Sequence, residues 1–285
     1  MSRAKVLIKK KQVLIHIKGW EHDCSDERDA EFSIHNSPLA SARPVGDCDN
    51  RPSFLEVSDQ YDMPSCTANA GADALEAALV HALVENGMSL EEAKKVVPNL
   101  SRMFAWYWGR SFMSPSQASN AESGCFNRLI MEVISRFGLP PEILWPYNKQ
   151  NIAPYNKPRP IVRPSISAQR GAVKYRSSKF YNIPSTNKAQ LIAGIDMALG
   201  AGHNVVWGTV VGTNFTQYEG GVITVPKDQV GGHAMVLCGK KGGAYWNRNS
   251  WSKDWGLGGY CLVSPELITW NGSSSFWVLV PEAVQ

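Results

Sequence analysis

Apolar positions recur at Leu75, Ala78, Leu79, Ala82 and Leu83, the offsets that line one face of an α-helix. A polar run from Asp59 precedes them, and Pro64 and Ser65 stand where such a helix would begin. The pattern predicts a helix with Cys66 in its first turn, ending near Asn86 and Gly87. Ser89-Leu90-Glu91-Glu92 has capping-box spacing and opens a short helix that Pro98 stops. The aromatic run 99–112 is helical at first, with Phe104, Trp106, Tyr107 and Trp108 as core. Residues 122–137 form an amphipathic helix with Leu129, Ile130, Val133, Ile134 and Phe137 inward and Gly138 as its stop. A surface helix follows over 188–198. Strand-like runs come after it at 204–211, 233–238, 244–248, 259–263 and 276–280. Helices first and strands afterwards predict an α+β fold.

The N-terminal piece reads differently. Two β-branched runs, 6–8 and 13–17, bracket a polar turn and predict a hairpin. Arg3, Lys5, Lys9, Lys10, Lys11 and Lys18 make it basic, and from Glu21 to Glu31 the sign reverses with Asp23, Asp26, Glu27 and Asp29. Such polarity suggests an arm that docks on the rest of its own chain or on another protein; the alternative is a solvated arm. Residues 36–53, with Pro38, Pro44, Gly46 and Pro52, read as a linker. Residues 148–170 are rich in proline, lysine and arginine and read as a crossing between lobes. The expected division is an N-terminal extension over 1–51 and a main domain over 52–285, with a helical lobe to about 160 and a β lobe from about 161.

Composition narrows the class. Hydrophobic residues make up 44% and charged ones 19%, as in ordinary globular proteins. A net charge of +4, from 29 basic and 25 acidic residues, gives no ground for a nucleic-acid partner. No uninterrupted apolar stretch is long enough for a membrane helix, and no signal-peptide core stands at the N-terminus, so synthesis is expected in the cytoplasm with the final location open. The six cysteines are scattered and fit free thiols better than a disulfide framework. No Cys/His cluster offers a metal site, and no cofactor is expected.

Cys66 carries the candidate chemistry. A thiol in the first turn of a helix faces unsatisfied N–H groups and the positive end of the dipole, which lower its pKa. Far along the chain, His233 opens an apolar run after Gly231-Gly232, and Asn249-Ser250-Trp251 follows the next run. Gln60 stands six positions before the cysteine. Glutamine, cysteine, His-Ala and Asn-Ser-Trp in this order resemble the papain-like cysteine peptidases, over roughly residues 52–280. The Ser-Cys-Thr-Ala-Asn-Ala wording is similar to a bacterial and bacteriophage branch, as are Leu144-Trp145-Pro146-Tyr147 and Gly221-Val222-Ile223. Met63, Pro64 and Thr67 depart from the Cys-Gly-[Ser/Ala]-Cys-[Trp/Tyr] signature, and with no cysteine at 63 the disulfide of secreted members is lost.

The resemblance implies a two-lobe fold, a helical lobe followed by an antiparallel sheet or barrel, with the site in the cleft between them; it makes 52–285 the catalytic domain and offers a pro-segment across that cleft as a further reading of residues 1–51. It implies Cys66 as nucleophile, His233 as base, Asn249 as orienter of the imidazole and Gln60 as oxyanion donor. Trp251 would shield the His–Asn hydrogen bond, and Gly232 would support the site. The expected function is a cysteine endopeptidase acting on a peptide or protein substrate through a thioester acyl-enzyme. The competing expectation is a structural or assembly protein, such as a phage virion component, that uses the N-terminal arm to bind a protein neighbour.

Overall fold

The computed structural model describes residues 3–9, 11–32, 46–116, 123–147 and 162–281. Most of the expected linker and most of the proline-rich crossing lie outside these residues.

Two strands, β1 (Arg3–Ile8) and β2 (Lys11–His16), form the antiparallel hairpin that their β-branched runs predict. Alternation puts Ala4, Val6, Ile15 and Ile17 into the core and leaves Lys5, Lys11 and Lys18 in solvent. The chain continues as β3 (Trp20–Glu21) and, after residue 45, as β4 (Cys48–Asp49). Residues 46–53 are therefore not plain linker, because β4 joins the main sheet.

Helix α1 (Cys66–Glu85) is buried on every side from Cys66 to Val80, more deeply than a one-faced pattern predicts. Its small side chains allow this: Ala68, Ala70, Ala72, Ala74 and Ala77 let neighbouring elements approach closely. Helix α2 (Leu90–Val96) carries the reciprocal Ser89–Glu92 capping box, and α3 (Arg102–Met113) begins on a Ser101 side-chain cap. Where a continuous helix was expected over 122–137, a short strand β5 (Cys125–Phe126) precedes α4 (Asn127–Arg136). The reason is tertiary, since β5 pairs in parallel with β3 from the arm. Gly138 ends the helix at φ +74, a conformation that favours glycine.

The second half opens with α5 (Ile166–Ala172), β6 (Ser177–Asn182) and α6 (Lys188–Gly200). Next come β7 (Val205–Val211), the short α7 (Thr213–Thr216), β8 (Val222–Ile223) and β9 (Gly231–Lys241). The chain then forms β10 (Ala244–Arg248), β11 (Tyr260–Val263), α8 (Pro265–Ile268) and β12 (Ser273–Pro281). Among the described residues the main sheet runs β6-β12-β7-β9-β10-β11-β8, with β4 beside β9. Its pairings are antiparallel except β11 with β8, and its path does not close into a barrel. The central strand β9 packs on α1, so the helical layer and the sheet meet where Cys66 and His233 lie.

Among the described residues all six cysteines are free thiols, and four of them are buried. No helix among these residues is long and apolar enough to cross a membrane.

Candidate active site

Pro64 and Ser65 lead into α1, yet Ser65 does not cap it. Its hydroxyl lies 2.6 Å from Tyr147 Oη, which donates to the Gln60 carbonyl at 2.8 Å. Asn69 Nδ2 donates to Ser65 Oγ at 3.1 Å. A chain of donors thus runs Asn69 to Ser65 to Tyr147 to Gln60 and ties the helix start to the loop before it. Gln60 is fully buried, donates from Nε2 to Met63 O at 2.9 Å, and accepts from Ser250 Oγ at 2.6 Å. Its backbone N–H reaches Ser250 O at 2.9 Å, and Asp59 bridges to Trp251. The loop that carries Gln60 is therefore strapped to the turn that carries Asn249.

His233 enters from β9 and places Nε2 2.7 Å from Asn249 Oδ1. That bond requires the Nε2–H tautomer and turns Nδ1 the other way, where it finds no partner among the described residues. Trp251 stacks on the imidazole with centroids 4.6 Å apart and 28° between planes, and Trp255 backs Trp251 edge-on. The structure thus brings His233, Asn249, Gln60 and Trp251 into one buried cluster between helix and sheet, with the Cys66 thiol against the N–H of Ala234, the residue after His233.

The arm occupies the space in front of that cluster. A Cβ on Gly19 would lie 2.5 Å from Cys66 Sγ, so the Gly19 backbone rests on the thiol. The Gly19 carbonyl accepts from the Cys125 N–H at 3.0 Å. A side chain on Gly232 would meet the Trp20 carbonyl at 2.6 Å, and the Trp20 indole covers the place where a Gly208 side chain would be. Gly232 therefore serves by the room it leaves for the arm.

Excluding water has an electrostatic consequence. Burial pushes the Cys66 thiol up to about 12, against the backbone N–H groups of Ala234 and Thr67. Burial pushes the His233 imidazole down to about 4, against its bond to Asn249. The depressed thiol expected from the helix start is absent while the arm is down, because desolvation outweighs the N-terminal field. Both groups are neutral in this buried arrangement. Among the described residues no group of three or more His, Cys, Asp or Glu could hold a metal ion.

Several residues of this region escaped the sequence reading. Tyr147 was noted only as part of a motif, and Gly19 and Trp20 gave no local signal. Asp73, Glu76, Arg102 and Arg248 form a buried ionic cluster behind the site. The signal for two of them was there: Asp73 and Glu76 interrupt an alanine-rich run.

Known proteins place this geometry. An uncharacterized peptidase C1-like protein of Acanthamoeba polyphaga mimivirus is 28% identical over 240 residues, covering 80% of this chain and 70% of its own. Xylellain, a cysteine protease from Xylella fastidiosa, superposes with a TM-score of 0.73 at 24% identity, over 98% of this chain and 97% of that one. Procathepsin B of Trypanosoma congolense gives a TM-score of 0.66 at 17% identity over 92% of this chain and 87% of its own. These structures share the papain-like α+β two-lobe fold. The profile of the papain family cysteine proteases matches residues 46–271, and with that match over most of its length the chain belongs to this family.

Proposed function

We propose that this papain-family cysteine protease is an endopeptidase that acts through Cys66, His233 and Asn249 and is held closed by its own N-terminal arm. The observation that carries the reading is the 2.7 Å bond from His233 Nε2 to Asn249 Oδ1, which aims the free ring nitrogen away from Asn249. With the arm lifted, water returns, the helix start favours the thiolate, and Nδ1 takes the proton from Cys66. The thiolate attacks the carbonyl carbon, and the oxyanion is met by Gln60 and the Cys66 N–H. The imidazolium gives its proton to the departing amine as the C–N bond breaks. Water then attacks the thioester, with His233 again as base, and frees the acid and the thiol. Asn249 fixes the ring without adding a charge, and Trp251 keeps water from the His–Asn bond.

The arm in front of the thiol supports a pro-segment reading of residues 1–51. An assembly arm finds less support, since the apolar side of the arm and its Asp26 and Asp29 are taken up by the chain itself. The wording around Cys66 supports a place among bacterial and bacteriophage members.

The test uses the full-length chain. A thiol-directed epoxide labels Cys66 slowly and peptide hydrolysis is weak, while Trp20→Ala raises both together. If Cys66→Ala in the Trp20→Ala background left hydrolysis unchanged, the reading would be wrong.

A further inference from the structure

Asp73 lies two helical turns beyond Cys66 on α1 and is fully enclosed. Arg248 Nε donates to its Oδ2 at 2.7 Å, and Arg102 Nη2 to its Oδ1 at 2.6 Å. Ser58 Oγ also reaches Oδ2, at 3.3 Å. Each partner leads to a different piece of the site. Arg248 ends β10 and is followed directly by Asn249, the residue bonded to His233. Ser58 accepts on its carbonyl from the Ser252 N–H at 3.1 Å and stands two residues before Gln60. Arg248 also clasps the loop before Gln60 through Glu56 O at 2.7 Å, and holds Tyr260 Oη at 2.8 Å. The second carboxylate, Glu76, is taken by Arg102 at 2.6 Å and by the Leu100 N–H. Two carboxylates and two guanidinium groups thus balance.

We propose that Asp73 is a positioning residue for the reaction, the point at which the helix of the thiol, the strand end of Asn249 and the loop of Gln60 are fixed to one another. The inference rests on the Cys66–His233–Asn249 reading. Burial by itself would raise the Asp73 carboxyl, but Arg248 and Arg102 outweigh it and hold it below the usual carboxylate range. It stays charged, and a charged group enclosed this way tolerates little displacement of its partners. Thiol and imidazole come from different lobes, so a shift of about an ångström between them lowers the rate on the order of 10²-fold.

The test replaces the pair rather than one partner, since a lone enclosed charge could unfold the chain. In full-length Asp73→Leu/Arg248→Met, apolar side chains of similar size fill the space while Arg102 keeps Glu76. Cys66 alkylation is expected to slow ~10–100-fold while the melting temperature stays near wild type. The downfield proton of His233 Nε2, assigned with His233→Gln, should exchange faster as its bond to Asn249 loosens. Arg248→Lys, which keeps the charge, should label within about threefold of wild type, and Arg248→Gln should not. A folded double variant with unchanged alkylation and an unchanged His233 proton overturns the proposal. Should the double variant not fold, equal labelling of Arg248→Lys and Arg248→Gln overturns it. Loss of the peptidase reading is distinguishable, because it appears as hydrolysis that survives Cys66→Ala.

Discussion

The arm before Gly19 and the arm after it hold to the same body by different forces. The hairpin side buries Ala4, Val6, Ile15 and Ile17 in the cluster that contains Phe215, Tyr218, Trp251 and Trp255. Its charges stay at the rim, as in Lys9–Asp254 at 2.8 Å. The acidic side converges on one cation. Arg128 meets Asp26 at 2.8 Å and Asp29 at 2.9 Å, while its backbone N–H and the Trp277 indole N–H reach Asp23. Apolar burial carries no charge for ions to screen, whereas ion pairs weaken with salt, half-buried ones such as these less than exposed ones. The segment over the thiol is thus anchored once by apolar burial and once by charge, and only the second is open to screening.

That contrast can be broken from either end. Val6→Asp places an unpaired carboxylate in an apolar cluster, at a cost of several kcal/mol. Hydrogen exchange should then show the β1–β2 amides losing protection, and epoxide labelling of Cys66 should rise ~10²–10³-fold. Arg128→Ala takes the guanidinium from Asp29 and leaves Asp26 with Arg28 alone, and should speed labelling ~10–100-fold at low salt, with a smaller gain in 1 M salt. If the gain were the same at both salt levels, the acidic side would not be held electrostatically.

Acidity sharpens the comparison further. Burial pushes the Asp23 carboxyl up to about 6 despite donors from Trp277 and Arg128. The docked arm therefore keeps a proton that the released arm gives up, so docking is strongest below the released value near 4. It weakens as pH rises through 6. Protection of the Cys125 N–H, relative to Asp23→Asn, should fall roughly tenfold between pH 4.5 and pH 7. A ratio that rose instead would overturn the assignment. The smallest effect belongs to the rim: Lys9→Ala removes an exposed pair worth under about 1 kcal/mol and should change labelling less than about fivefold.

Much of this was legible in the chain. The hairpin follows from β-branched runs around a polar turn, and Cys66, His233, Asn249 and Gln60 were singled out as candidates by the resemblance that their order carries. The path of residues 17–22 was not, because nothing local to Gly19 says which surface it will meet. The same limit explains β5, since pairing with Trp20–Glu21 overrides the helical pattern that surrounds Cys125. Ser65 read as a cap because capping is a local rule, whereas Tyr147 competes for it from far along the chain. Asp73 and Arg248 are charges whose partners lie in distant segments, so their enclosure could not be read from either neighbourhood alone.

Gly19 leaves one consequence for the history of the chain. A first side-chain carbon at Gly19 would stand 2.5 Å from Cys66 Sγ and 3.0 Å from the Pro64 carbonyl, so even alanine makes the thiol or the strap give way. On the proposed closed-arm reading, a single codon change at this glycine would thus loosen the restraint, a hazard for whatever cell makes the chain.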